Sequence, residues 1–124
     1  MASELPRSAS PEGAKVYFIQ PQDGEVITGP NVKVVFGLSG MGIAPAGIEK
    51  SNTGHHHLLI DVDNLPMGMP IPSDARHLHF GGGQTEAVIE LAPGEHQLQL
   101  VLADHLHIPH DPPVVSDVIK ITVE

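Results

Sequence analysis

Ala92-Pro93-Gly94-Glu95-His96-Gln97-Leu98-Gln99-Leu100-Val101-Leu102 is the stretch on which the fold turns. Proline and glycine set a tight turn, and beyond it Leu98, Leu100 and Leu102 take alternate positions, which only an extended strand gathers onto one face. Outward from it the same grammar repeats. Strands are expected at residues 85–91 before the turn, at 96–104 after it, and at 114–123. Upstream, Lys15–Gln20 reads as a strand, and residues 21–24 as a turn. Asn31–Ser39 follows with Val32, Val34, Phe36 and Leu38 on one face. A Gly/Ala/Pro-rich loop leads to Gly54, then a strand at 56–62 and a long proline-rich connection. Residues 63–76 of that connection form a weak strand or an irregular segment. Nothing reads as a helix.

Short alternating strands parted by Gly/Pro turns indicate a β-sandwich or barrel, and the turn into His96, which resembles the E–F corner of immunoglobulin-like domains, favours the sandwich. The expected fold is therefore all-β: an immunoglobulin-like β-sandwich of about seven short antiparallel strands, with A, B, C, E, F and G assigned to the segments above. Residues 1–14 are polar, proline-containing and aperiodic, and are expected to be a flexible lead-in. Residues 15–124 form a single β-sandwich domain.

Composition narrows the function. The 124 residues carry no Trp, one Tyr and three Phe, so Val, Leu and Ile must build the core, which favours strands. A net charge of −9 with six Lys and Arg argues against nucleic acid or an anionic membrane, both of which demand basic patches. Without cysteine, thiolate metal sites and thiol nucleophiles are excluded, leaving His, Asp, Glu and Met as ligands. No apolar run approaches the ~20 residues that span a bilayer, so no membrane insertion is expected. Met1-Ala2-Ser3 ahead of a Pro/Ser/Glu-rich stretch reads as residues added to a mature N-terminus. A periplasmic or secreted location is the expectation.

Eight of the nine histidines fall into three clusters: His55-His56-His57, His77-Leu78-His79 and His105-Leu106-His107-Ile108-Pro109-His110. In the sandwich the B–C, D–E and F–G connections share one pole, so the clusters converge there, while His96 lies at the other. Leu58 and Ile60 point inward, which turns His55 and His57 outward and His56 toward the core. By the same parity, Leu98, Leu100 and Leu102 turn His105 and His107 outward on the neighbouring strand. Cross-strand Cβ atoms ~4.5–5.5 Å apart let imidazoles meet on one ion. His55, His57, His105 and His107 are the expected metal ligands, with His77, His79 and His110 as a second tier or second ion. Asp104 and Asp111 are the acids expected to orient a ligand imidazole. Taken singly, each cluster reads as an ordinary polar loop; their convergence is what argues for a metal.

Longer strings carry a resemblance. Val16-Tyr17-Phe18-Ile19-Gln20-Pro21, Gly40-Met41-Gly42-Ile43-Ala44-Pro45, Asn52-Thr53-Gly54-His55-His56-His57, His79-Phe80-Gly81-Gly82-Gly83-Gln84 and Asp104-His105-Leu106-His107-Ile108-Pro109-His110-Asp111-Pro112-Pro113 resemble the bacterial family called domain of unknown function 4399. The resemblance implies a small exported single-domain protein and brings no catalytic residues with it.

Nitrogen-only ligation suits Cu(II), Zn and Ni, copper being favoured by intrinsic affinity and zinc by tetrahedral His sites, with copper narrowly ahead. Met67 and Met69 are weak candidates for Cu(I), being better read as loop packing. Gly81-Gly82-Gly83 reads as a tight turn, and the serines lack a nucleophile context. The leading reading is a non-enzymatic copper or zinc carrier or buffer, with no catalytic residue and a metal ion as partner. The alternatives are a small copper- or zinc-dependent enzyme and a non-catalytic interaction module whose His-rich surface senses pH, its protein partner unknown.

Overall fold

A computed structural model describes residues 6–124. Nine strands occur along this stretch: β1 Lys15–Gln20, β2 Val26–Ile27, β3 Asn31–Ser39, β4 Gly42–Ile43, β5 Thr53–Ile60, β6 His77–His79, β7 Glu86–Glu90, β8 Gly94–Ala103 and β9 Ile119–Val123. One sheet runs β1-β3-β7, and the other β2-β9-β8-β5-β4, with β6 on β5. These are the A-B-E and G-F-C orders of an immunoglobulin-like sandwich, and the chain is all-β as expected. Two short pairings, β2 with β9 and β4 with β5, are parallel and lie outside the expected antiparallel pattern.

The core forms where the alternating apolar residues of the two sheets meet. Val32, Val34 and Phe36 of β3 face Leu58, Leu98, Leu100 and Leu102, the last four with no exposed surface. Each such leucine contributes roughly 1.5–3 kcal/mol by leaving water. A second, smaller cluster covers the outer face of the β5–β8 pair. There Leu65 and Ile71 of the 61–76 connection, with Met67 beside them, pack on Leu59, Val101 and Ala103. That proline-rich connection is thus a cover for one sheet face.

Residues 6–14 of the expected flexible lead-in are attached to the body. Ala9 pairs with Asp111 in a parallel bridge, Ser8 Oγ donates to the Asp104 carboxylate at 2.8 Å, and Ser10 Oγ donates to the Pro112 carbonyl at 2.6 Å. The polar, aperiodic composition hid these contacts because they are side-chain and single-bridge bonds rather than a strand ladder. Residues 1–5 lie outside the described residues.

Candidate metal centre

β5 and β8 are antiparallel neighbours, with His55 opposite Ala103, His57 opposite Val101 and Leu58 opposite Leu100. Paired residues share a face, so His55 and His57 stand on the outer face with Val101 and Ala103, while Leu58 enters the core. Alanine and valine across the strand leave room for two imidazoles. The 61–76 connection covers this face, and both histidines have no exposed surface. β6 extends the arrangement: His79 stands opposite His57, and Leu78 opposite the inward Leu58.

The fourth imidazole comes from a turn. β8 ends at Ala103, because the Asp104 carboxylate accepts the Leu106 and Ile108 backbone N–H groups at 2.9 and 3.1 Å, an alternative to continuing the ladder. The Asp104 carbonyl accepts the His107 N–H at 2.9 Å. His107 is thereby held at φ 63°, a left-handed conformation uncommon for a residue with a Cβ, and its ring turns back over β5.

Its Nδ1 lies 3.0 Å from His55 Nε2, 3.3 Å from His57 Nε2 and 3.2 Å from His79 Nδ1. The donor nitrogens of His55, His57 and His107 all lie within 4.8 Å of one another, so this triad, with His55 and His57 buried and His107 half-buried, can hold a metal ion. His79 Nε2 donates to the Pro72 carbonyl at 2.6 Å, which leaves Nδ1 with its lone pair facing the cluster. The His107 carbonyl accepts the Ile71 N–H at 2.7 Å. Consecutive residues of the covering connection are therefore bonded to two histidines of the cluster.

Electrostatics suit a cation. A neutral imidazole has one N–H, so a His107 Nδ1 proton can satisfy one neighbour and leaves the other lone pairs facing each other. Burial lowers the His55 pKa to about 4, helped by His107 and His79. Burial, then His55, His79 and His107, lowers His57 to about 2. His107 is lowered by burial and by His79, against the opposing pull of Asp104. His55, His57 and His107 are thus neutral nitrogen donors near pH 7. The other ring nitrogens of His55 and His57, both Nδ1, are buried without a partner.

The remaining candidates sit elsewhere. Parity placed His105 beside His107 on the strand, but the turn at Asp104 carries it away from the triad, half-buried, with its carbonyl accepting Gly47 N–H at 3.0 Å. His77 Nδ1 donates to Asp74 at 2.7 Å, and His110 Nε2 to the Thr53 carbonyl at 3.1 Å. Asp111 is exposed, and its nearest cation is Arg7 at 3.9 Å. Asp104 acts on the backbone of the turn rather than on an imidazole. His56 faces the core, its ring 4.9 Å from that of Phe36 with both nitrogens unpartnered, and His96 bonds Asp61 at the opposite pole. Met67 packs into the outer cluster and Met69 is exposed. Sequence reasoning missed the backbone groups of Ile71 and Pro72. The apolar Leu65 and Ile71 within a Pro/Gly-rich connection are the one signal of its docking.

No curated protein matches the chain in sequence. Among solved structures, it is similar to the endo-beta-1,4-mannanase from Thermotoga petrophila, with a TM-score of 0.54 and 19% identity over 91% of this chain. It spans 20% of that enzyme's length, and the likeness is one of fold. A fibronectin(III)-like module structure of Clostridium thermocellum CbhA aligns at a TM-score of 0.40 and 13% identity, over 87% of this chain and 92% of that one. The model of the family described as Domain of unknown function (DUF4399) matches residues 34–124, which include every histidine of the cluster, and the chain belongs to that family.

Proposed function

We propose that this protein is an exported metal-binding protein, a carrier or buffer of copper or zinc. The observation that carries the reading is the approach of His55 Nε2 and His57 Nε2 to His107 Nδ1 at 3.0 and 3.3 Å inside a covered sheet face. Bare lone pairs so close repel one another, and a bound cation turns that repulsion into attraction. The acidic balance of the chain supports the reading, since a surface at −9 attracts cations. Among the described residues no helix is long and apolar enough to cross a membrane.

The test is calorimetric titration of tag-free apo-protein with Cu(II) and with Zn(II), beside elemental analysis of protein purified without a nickel column. One ion per chain is expected, bound tighter than about 10 μM, which corresponds to ~7 kcal/mol. Absence of stoichiometric binding to both metals would overturn the reading. A metal-dependent enzyme is favoured by one observation: His79 and His107 are only half-buried, so a small substrate can approach from their side. Peroxide and superoxide turnover by the loaded protein separates the two readings.

A further inference from the structure

We propose that residues 7–10 are a strap that sets the metal affinity of the centre, with Arg7 as its positioning residue: seated, the strap holds His107 and His55 within reach of one ion, and lifted, it weakens their grip. This rests on the metal-binding reading above and goes further, to how retention and release at that site are controlled.

The strap closes over the turn that carries His107. Arg7 Nε donates to the Pro109 carbonyl at 3.2 Å, and Arg7 Nη2 donates to the His110 carbonyl. Ser8 Oγ donates to Asp104, whose other carboxylate oxygen accepts the Leu106 and Ile108 N–H groups. The two backbones join where Asp111 N–H donates to the Ser8 carbonyl at 3.0 Å and Ser10 N–H to the Asp111 carbonyl at 3.3 Å. The turn is thus pinned on both sides of His107, at Asp104 before it and at residues 109–111 after it. Pinning is needed there, since the left-handed φ of 63° at His107 is a conformation that a residue with a Cβ keeps only where its surroundings impose it.

A second line runs from the strap to β5. His110, whose carbonyl Arg7 holds, donates from Nε2 to the carbonyl of Thr53 at 3.1 Å, just ahead of His55 on the same strand. Arginine suits the task, because its planar fork can span successive carbonyls, and with 16% of the side chain exposed these charge-assisted bonds are shielded from water. The strap is also built to lift. None of residues 6–10 is buried, and a cleft of about 280 Å3, lined by Ser8, Ala9, Glu49, Thr53, Asp104 and His110, runs along it. A segment held by hydrogen bonds rather than by apolar packing opens at a lower free energy than the sandwich unfolds. By linkage, an ion that needs the turn in place favours the seated strap by the same factor as the seated strap favours the ion.

Charge and positioning give opposite signs for Arg7→Ala. Removing a cation beside the His107 turn would by charge alone tighten the binding of a metal ion, whereas loss of the strap weakens it. In competition titration of Zn(II) against a chromophoric chelator, R7A, its apo fold checked by circular dichroism, should bind about 10-fold more weakly, within the range usual for coupled sites. R7K, whose ammonium lacks the fork, should fall between R7A and the wild type. K33A, which removes an exposed cation from the other sheet, should bind no more weakly than the wild type. In the wild-type protein, hydrogen exchange at the Ser10 and Asp111 N–H groups should slow by about the same 10-fold on adding zinc, a readout independent of whether R7A folds. Unchanged or tighter zinc binding by R7A, or exchange at those amides indifferent to zinc, would overturn the inference while leaving the metal-binding reading intact. Wild-type protein that binds neither zinc nor copper would remove both.

Discussion

His57 and His79 stand directly opposite one another across β5 and β6, and one is fully buried while the other is half-exposed. The pair therefore joins the inside of the covered sheet face to its rim. If an ion binds as proposed, His55 and His57 would hold it from the buried side, and the half-buried His107 and His79 mark the side open to solvent.

The double change His57→Ala with His107→Ala removes two of the clustered nitrogens and is expected to lower zinc or copper affinity by at least about 100-fold. His96→Ala should leave it unchanged, because its ring is bonded to Asp61 and to the Ala92 carbonyl at the far pole. Competition titration against a chromophoric chelator measures both. His107→Ala alone separates binding from folding best, since its turn is half-buried whereas His57→Ala also opens a cavity.

Asp104→Ala is expected to destabilise the protein by about 1–3 kcal/mol in urea denaturation, because two backbone N–H groups and the Ser8 hydroxyl lose their acceptor. The same change should weaken metal binding by roughly 10–100-fold through His107, the range expected when a group supporting a ligand is lost. Unaltered affinity would show that the turn holds His107 without its carboxylate.

His56→Leu is expected to preserve metal binding and to raise stability by about 1 kcal/mol. An imidazole with two unpartnered nitrogens beside Phe36 is replaced by an apolar side chain of similar size. Equilibrium denaturation of the apo-protein reads the effect without interference from metal.

The His96–Asp61 pair predicts a pH dependence. Burial pushes His96 down, but the Ala92 carbonyl and the Asp61 carboxylate outweigh it, so its pKa is raised above 6.5. Burial pushes Asp61 up, but the Gln97 N–H and His96 outweigh it, so its pKa is lowered below 3.8. A raised histidine stabilises fully below its unfolded value and loses the contribution as pH rises through the folded one; a lowered aspartate stabilises above its unfolded value and loses it as pH falls. The stability difference between wild type and His96→Ala should peak near pH 5, between 3.8 and 6.5, and shrink on either side. It should be modest, since the pair is partly solvated. Thermal denaturation across pH 3–8 follows it.

Faces and neighbours were legible wherever alternation was continuous. β3 occupies the segment read from Val32, Val34 and Phe36, and the inward Leu58 and Ile60 placed His55 and His57 outward and His56 inward. Parity failed at Asp104, because His105-Leu106-His107 continues the alternation of a strand while the Asp104 carboxylate bends the chain. The residue that reaches the cluster does so through a left-handed turn, which no periodicity encodes. β6 was hidden for a different reason: three residues beside a proline-rich connection are too short for a pattern, and their pairing with β5 is decided by the long-range fit of Leu78 into the core.

The two bonds from Ile71 and Pro72 to the histidine cluster make the 61–76 connection an outside gauge of what happens beneath it. Its exposed stretches, at Asp63, Asn64, Met69 and residues 72–76, offer a protease its sites. Its anchors are the very residues that an ion would tighten. If an ion binds as proposed, cleavage in this connection would read out occupancy of the centre: the covered histidines would report through a segment that touches the solvent, with no need for a spectroscopically visible metal.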